Sequence, residues 1–376
     1  QVATLATMAW LCRIACLRGR RECIDGRWVQ QGALLADGGF AYVYKGSDVR
    51  SGEEIAIRRA LVQDDDARAA ARDELSILES LPRHEHIVRF LGGEIIRAQA
   101  GSRSMEAVTL FELCTGGTLV DRLQTAMRRQ APGRPEVAGA VCCPCMPEKE
   151  ALEVLAGIAS ALAKLHELKI THYDVKSENL MMGVDSRWKL GDFGSASRRT
   201  FDFSNAERSV VLQVEEFVAG RCTPMYRAPE VADVYLRWPI GPKVDIFALG
   251  CVLFATLTGT HPFPMDSQLA NVQAQFRMPR EMPGAYSRQL PAWAEQLLAR
   301  EPASRPAAAD ILAEVRRFAP SIGRATPVSG FGSENCASVM LAEPTPREQD
   351  GRSQDSWMAD FSLMDAKQNT RWGEEA

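Results

Sequence analysis

The chain has 376 residues, a formal net charge of −4, and hydrophobic and charged fractions of 46% and 24%. That length exceeds one average domain and suits a two-lobed protein with extensions. The mild charge gives no electrostatic footprint of a nucleic-acid or membrane partner, and the 10 scattered cysteines lack the framework of a small disulfide-stapled secreted domain.

Residues 1–27 read as an N-terminal extension without fixed structure. Its apolar run is broken by Arg13 and falls short of a membrane span. The positive charges follow the run, whereas a signal peptide carries them before it. Cys12 and Cys16 lie beside Arg18, Arg20 and Arg21, which leaves two readings open: acylation at a membrane surface, or a plain unstructured extension. A first strand is expected from Trp28 to about Leu35, a turn over 36–41, and a second strand on the alternating Tyr42, Val43 and Tyr44. A short strand over 54–58 follows. Asp64, Asp65 and Asp66 suit the positive end of a helix, whose apolar face carries Ala71, Leu75 and Leu78. Strands at 87–91 and 108–113, separated by a polar loop near 98–104, complete a β-rich lobe over 28–113.

From Leu119 the periodicity turns helical. Leu152, Leu155, Ala159 and Leu162 form a stripe that leads into residues 170–179. Between two helices, residues 129–147 form an insertion rich in Pro, Gly and Cys. Its Cys142, Cys143 and Cys145 are either reduced thiols or half of a metal site with no evident second pair. From Asp245 to Leu257 the chain is almost uniformly apolar, as a buried central helix should be. Closing helices occupy 294–318. Residues 320–376 turn polar and poor in aliphatics, the composition of a disordered tail.

Chemistry is concentrated in residues 170–194, which read ITHYDVKSENLMMGVDSRWKLGDFG. Phosphoryl transfer to a hydroxyl needs a carboxylate to orient the hydroxyl and take its proton. It also needs a cation beside the transferred group and oxygen ligands for Mg²⁺. Asp174, Lys176 and the Asn179/Asp192 pair supply those parts in that order. The turn Ala36-Asp37-Gly38-Gly39-Phe40-Ala41 keeps one glycine, Gly38, of a phosphate-cradling G-x-G-x-x-G spacing. Alone it is either a hairpin or a nucleotide clamp. Val43 and the strand bearing Ala56 and Arg58 after it favour the clamp.

Residues 28–319 resemble a eukaryotic protein kinase, and within it the Numb-associated group that includes the cyclin-G-associated and adaptor-associated kinases. The resemblance is carried by the turn just quoted with Tyr42-Val43-Tyr44, and by Val214-Glu215-Glu216-Phe217 with Thr223-Pro224-Met225-Tyr226-Arg227-Ala228-Pro229-Glu230. It is carried further by Ile240-Gly241-Pro242-Lys243-Val244-Asp245-Ile246-Phe247-Ala248-Leu249-Gly250-Cys251. It implies an α+β bilobal kinase-like fold, with an N-lobe over 28–113 and a C-lobe over 114–319. ATP would contact Ala36, Gly38, Ala41, Val43, Ala56, Arg58, Glu74, Phe111, Glu112 and Cys114. Phe111 would be a bulky gatekeeper before the hinge. Mg²⁺ would sit on Asn179 and Asp192. Thr223 would join Asp174 and Lys176 to shape the acceptor platform, Glu230 would pair with Arg305, and His172 would pack on Phe193.

The same resemblance implies a cytoplasmic Ser/Thr kinase, given Asp174-x-Lys176, acting on protein substrates such as endocytic adaptors, with peripheral membrane association and no nucleic acid. Three positions depart from the family pattern: Arg58 where a lysine pairs with Glu74, Tyr173 where an arginine clamps a phosphorylated activation segment, and Phe247 where tryptophan is usual. Arg58 keeps open the alternative of a weak kinase or pseudokinase scaffold. Lys45 is the one lysine near enough in sequence to substitute. The tail's Trp357-Met358-Ala359-Asp360-Phe361 is an adaptor-docking cluster or a disordered patch.

Overall fold

Residues 19–38, 41–98, 104–130, 146–203, 207–263, 268–279 and 286–322 are described by a computed structural model. The chain divides after Arg317, and of the second unit only the end of the last helix is described. The expectations for Cys12 and Cys16, for the cysteines at 142, 143 and 145, and for the tail beyond 322 lie outside the described residues.

The first lobe is an antiparallel sheet of six strands: β1 (Arg21–Ile24), β2 (Arg27–Asp37), β3 (Ala41–Asp48), β4 (Glu54–Val62), β5 (Phe90–Arg97) and β6 (Met105–Glu112), in the order β1-β2-β3-β4-β6-β5. Alternation of side chains gives the sheet two chemically different faces. Ile55, Ile57 and Arg59 of β4 point into a core with Ile24, Val29, Tyr44, Val108 and Leu110. Ala56 and Arg58 point the other way, half-buried, with Val43 facing Arg58 in register on β3. Arg59 is charged on a core face, so it must be partnered. Gln31 accepts from it at 2.8 Å, Glu106 at 2.9 Å, and Glu22 closes the set.

Glu22 lies on β1, which corrects the expected boundary at residue 27. The segment 21–27 is ordered as a hairpin, turning at Asp25 and Gly26 with positive φ, and its Ile24 is fully buried. With only Cys23 and Ile24 apolar and arginines on both sides, four residues are too few for periodicity to declare a strand. The strand expected at 87–91 lies instead at Phe90–Arg97. Ile87 and Val88 have left the sheet: the Val88 amide donates to the Leu190 carbonyl at 2.9 Å in the second lobe. Helix α1 (Asp65–Ser80) starts as expected, with the Asp64 carboxylate accepting from the Ala67 amide at 2.7 Å.

The second lobe carries α2 (Leu119–Gln130), α3 (Glu148–Glu167), the small sheet β7 (Leu180–Met182) and β8 (Trp188–Leu190), α4 (Arg208–Ala219), α5 (Pro229–Ala232), α6 (Lys243–Thr258), α7 (Gln268–Gln273), α8 (Gln289–Leu297) and α9 (Ala308–Ile322). α2 runs two residues into the expected insertion at 129–147, and α3 takes up the chain immediately after it. Every residue of α6 from Val244 to Thr258 is buried, and the helix stops where Gly259 adopts φ 75°. No described helix is long and apolar enough to cross a membrane.

Candidate active site

The loop at 170–179 is held from below by α6. Asp245, wholly buried, accepts the backbone amides of His172 and Tyr173 at 2.9 Å each and lies 2.8 Å from the His166 ring. Tyr173 has φ 66°, a left-handed conformation costly for an aromatic residue. The two bonds to Asp245 hold it there, and the chain thereby presents Asp174 to the cleft.

Asp174 is fully engaged. One carboxylate oxygen accepts the Thr223 hydroxyl at 2.6 Å and its amide at 3.3 Å. The other lies 3.0 Å from the Lys176 ammonium and 3.2 Å from the Asn179 amide. Lys176 also donates to the Thr223 hydroxyl at 3.0 Å. Burial works against the Lys176 charge, but Asp174 outweighs it and holds the ammonium's pKa above the ordinary value. Asn179 spends its side-chain nitrogen on Asp174, including a 2.8 Å bond to the Asp174 carbonyl, so its side-chain oxygen is the atom it could offer a metal ion.

Asp192 sits at φ 53° at the start of the Asp-Phe-Gly turn, with Phe193 buried against the His172 ring at 5.1 Å. Desolvation deep in the cleft opposes ionisation of Asp192. The Arg58 guanidinium and the Gly194 amide outweigh it and hold the carboxyl below the usual range. Half of this side chain (49%) still faces the open cleft. The Gly191 amide donates to the Asn179 carbonyl at 2.9 Å, which ties the two segments together, and an ionised, accessible carboxylate with an amide oxygen is a donor set that fits Mg²⁺.

Arg58 reaches this site from β4. Its Nη1 donates to both carboxylate oxygens of Glu74 on α1, at 2.9 and 3.2 Å, and its Nη2 lies 3.9 Å from Asp192. Burial disfavours the guanidinium charge, but Glu74 and Asp192 more than restore it. Lys45 does not substitute: it pairs with Glu54 at 2.6 Å across β3 and β4, where both side chains are exposed.

The expected nucleotide-contacting residues are brought together only in part by side chain. Ala36 pairs with Val43 across β2 and β3, and the Gly38 amide donates to the Ala41 carbonyl at 3.0 Å, closing the turn. A Cβ on Gly38 would stand 3.3 Å from that carbonyl, so glycine keeps the turn tight. Phe111 faces Ala56 across β4 and β6 and sets its ring edge-on to Phe90 at 5.9 Å. Glu112, however, turns its carboxylate away from the adenine side. Lys189 donates to both its oxygens at 2.9 Å, and the Arg89 amide donates to it at 2.8 Å. Glu112 can therefore offer the cleft only its backbone. The Cys114 thiol is partly buried, and burial with the Glu112 charge pushes its pKa to about 11.

Glu230 and Arg305 meet as expected, both wholly buried, at 2.6 and 2.8 Å, with the guanidinium 4.9 Å from the centre of the Phe247 ring. Phe247 stacks on Phe263 at 5.5 Å, so a ring is retained where tryptophan was expected. Lys189 was missed by sequence reading. Its signal was a charge between Trp188 and Leu190 in a short strand buried at every position.

A family model of the protein kinase domain matches residues 29–315. The chain belongs to the protein kinase family. Among relatives of this kinase, a probable serine/threonine-protein kinase of Dictyostelium discoideum is 30% identical over 248 residues, 65% of this chain and 20% of that protein. The serine/threonine-protein kinase AKL1 of Saccharomyces cerevisiae is 27% identical over 277 residues, 69% of this chain and 24% of its own length. Actin-regulating kinase 1 of the same yeast is 27% identical over 295 residues, 77% of this chain and 43% of its own. The kinase chain thus spans less than half the length of each of these relatives.

Proposed function

We propose that the chain transfers the γ-phosphate of ATP to serine or threonine hydroxyls of protein substrates. The observation that carries this reading is the closed Asp174–Thr223–Lys176 triangle, which joins the catalytic loop to the segment on which an acceptor would lie. Asp174 orients the acceptor hydroxyl and takes its proton. Lys176, held protonated, offsets charge on the group in transfer. Arg58, braced by Glu74, anchors the nucleotide phosphates. Asn179 and Asp192 hold Mg²⁺, which when bound neutralises charge on those phosphates. Ala36, Gly38, Ala41, Val43, Ala56, Phe111 and the backbone at Glu112 and Cys114 enclose the base and sugar.

For the acceptor, the three stretches shared with the Numb-associated kinases favour endocytic adaptor proteins at a cytoplasmic membrane face. One relative bears the name actin-regulating kinase 1, which adds an actin-linked role as a second setting to test. The second reading, a pseudokinase scaffold, rests on Arg58 alone, and the intact Arg58–Glu74 pair weighs against it. The test is phosphate incorporation from Mg-ATP into a Ser/Thr protein substrate. Asp174→Ala should lower turnover by about 10²–10⁴-fold. Wild type no faster than that variant would end the kinase reading.

A further inference from the structure

Phe217, on α4, stands at the meeting of three segments. Its ring lies 5.7 Å from that of Tyr173 at 82°, and 5.1 Å from that of Phe201 at 65°. Both are edge-on geometries in the favourable range for aromatic pairs. The Arg221 guanidinium lies 4.4 Å from the ring centre and that of Arg199 5.6 Å. Among the described residues neither arginine forms an ion pair within 4.0 Å, and both lie over the ring, with the Asp73 charge acting on Arg221 from farther off. Tyr173 adds a hydroxyl bond to the Arg199 carbonyl at 2.9 Å. Phe201 is fixed in turn by backbone bonds in both directions with Ile240, at 2.8 and 3.0 Å.

The cluster therefore ties the catalytic loop, the start of the activation segment and α4 into one node. Beyond α4 the chain has no slack before Thr223. Val211, Val214 and Val218 bury one side of the helix, and the amides of Arg221 and Cys222 close on the Val218 carbonyl at 3.2 Å. Arg227 donates to the carbonyls of Ala219 and Cys222 at 2.9 and 3.0 Å. Thr223 comes next, and its hydroxyl and amide are the bonds to Asp174.

We infer that Phe217 is a positioning residue for the reaction: its ring, gripped by Tyr173, Phe201, Arg199 and Arg221, sets Thr223 against Asp174 without a phosphorylated activation segment. This rests on the kinase reading for its rate consequences but not for its geometry. An arginine in place of Tyr173 would be a third cation beside Arg199 and Arg221 and would need an anion to settle. Tyr173 removes that need and supplies an aromatic edge instead.

The test uses the full chain, Phe217→Ala, Phe217→Tyr, and phosphatase treatment of the wild type. Phe217→Ala should lose about tenfold or more in kcat with KM for ATP within about twofold, because the nucleotide side is untouched. Phe217→Tyr, which keeps the ring, should recover the rate to within about twofold. Phosphatase-treated wild type should keep its kcat. Amide hydrogen exchange gives a readout that needs no activity: the Thr223 amide should exchange about tenfold faster in Phe217→Ala. If alanine unfolds the lobe, Phe217→Leu keeps most of the volume, drops the ring, and should show the same loss. Should the wild type transfer no phosphate, the kinase reading falls and the exchange arm alone decides the positioning role. Thr223 exchange at the wild-type rate in the alanine or leucine variant overturns the inference, as does loss of activity on phosphatase treatment.

Discussion

On the proposed kinase reading, Arg58 decides how well this cleft would hold a nucleotide. A lysine ammonium is a point charge on a flexible stem, whereas a guanidinium is a planar fork that spends its hydrogens in fixed directions. Here Nη1 is spent on Glu74, and only Nη2 faces Asp192 and the cleft. It also stands 3.2 Å from where a Cβ on Gly194 would be, so the turn after Asp192 packs directly on the guanidinium. The charge is retained and the reach is restricted. Arg58→Lys should therefore raise kcat/KM for ATP by no more than about tenfold, the worth of one charge-assisted hydrogen bond, and mostly through KM. Arg58→Met leaves Glu74 uncompensated beside Asp192 and should lower kcat/KM by at least about a hundredfold. Steady-state kinetics on both variants distinguishes the cases. A gain above a hundredfold for the lysine variant would mark the native protein as an impaired enzyme, and the scaffold reading would then prevail.

Among the elements, the Glu230–Arg305 pair joins α5 to the stretch before α9, and it is the interaction whose loss should be felt most. Both side chains are wholly buried, and Arg305 donates besides to the carbonyls of Ala299, Lys243 and Arg300 at 2.8 to 2.9 Å. Arg305→Met strands the Glu230 carboxylate in the interior and should cost about 3–5 kcal/mol, read as a lowered denaturant midpoint. Lys45→Ala removes a pair of exposed partners and should cost less than about 1 kcal/mol in the same measurement. The pairing of Glu230 with Arg305 was legible in sequence because short, specific contexts surround both residues. The catalytic loop was legible for the same reason, since the spacing of Asp174, Lys176 and Asn179 is local. α6 was legible from its unbroken apolar run, and α1 from its aspartates. Nothing local declares β1, whose four residues are fixed by Arg59 and the β2 hairpin, or the displacement of Ile87 and Val88 onto Leu190. Lys189 stayed hidden likewise, and so did the aromatic partners of Phe217, because Glu112, Tyr173 and Phe201 lie far away along the chain.

Over the whole molecule, the dependence of stability on pH can be followed through one histidine of the second lobe. His261 follows α6 and lies edge-on to Tyr226 at 4.7 Å, just behind the Thr223 segment. Its Nδ1 lies 3.2 Å from both the amide and the carbonyl of Phe263, and its Nε2 is buried without a hydrogen-bond partner among the described residues. A second proton would bring a charge into this apolar corner, and burial lowers the pKa from 6.5 to about 4. The unfolded chain takes up that proton near pH 6.5 and the folded chain only near pH 4. Between those values the unfolded state binds more protons, so stability is complete above about pH 6.5 and falls as the pH drops toward about 4. For this one group the loss reaches up to about 2 kcal/mol by pH 5. His84 shifts in the same direction, through burial and then His86, and the carboxylates add their own titrations at lower pH. A comparison with His261→Asn, which keeps an acceptor for the Phe263 amide, removes those shared contributions. Denaturant unfolding of both proteins at pH 7.5, 6 and 5 should give a gap that narrows by up to about 2 kcal/mol as the pH falls, the wild type losing stability faster. A gap that stays constant across the series would mean that His261 titrates normally in the folded protein and that its corner is open to water.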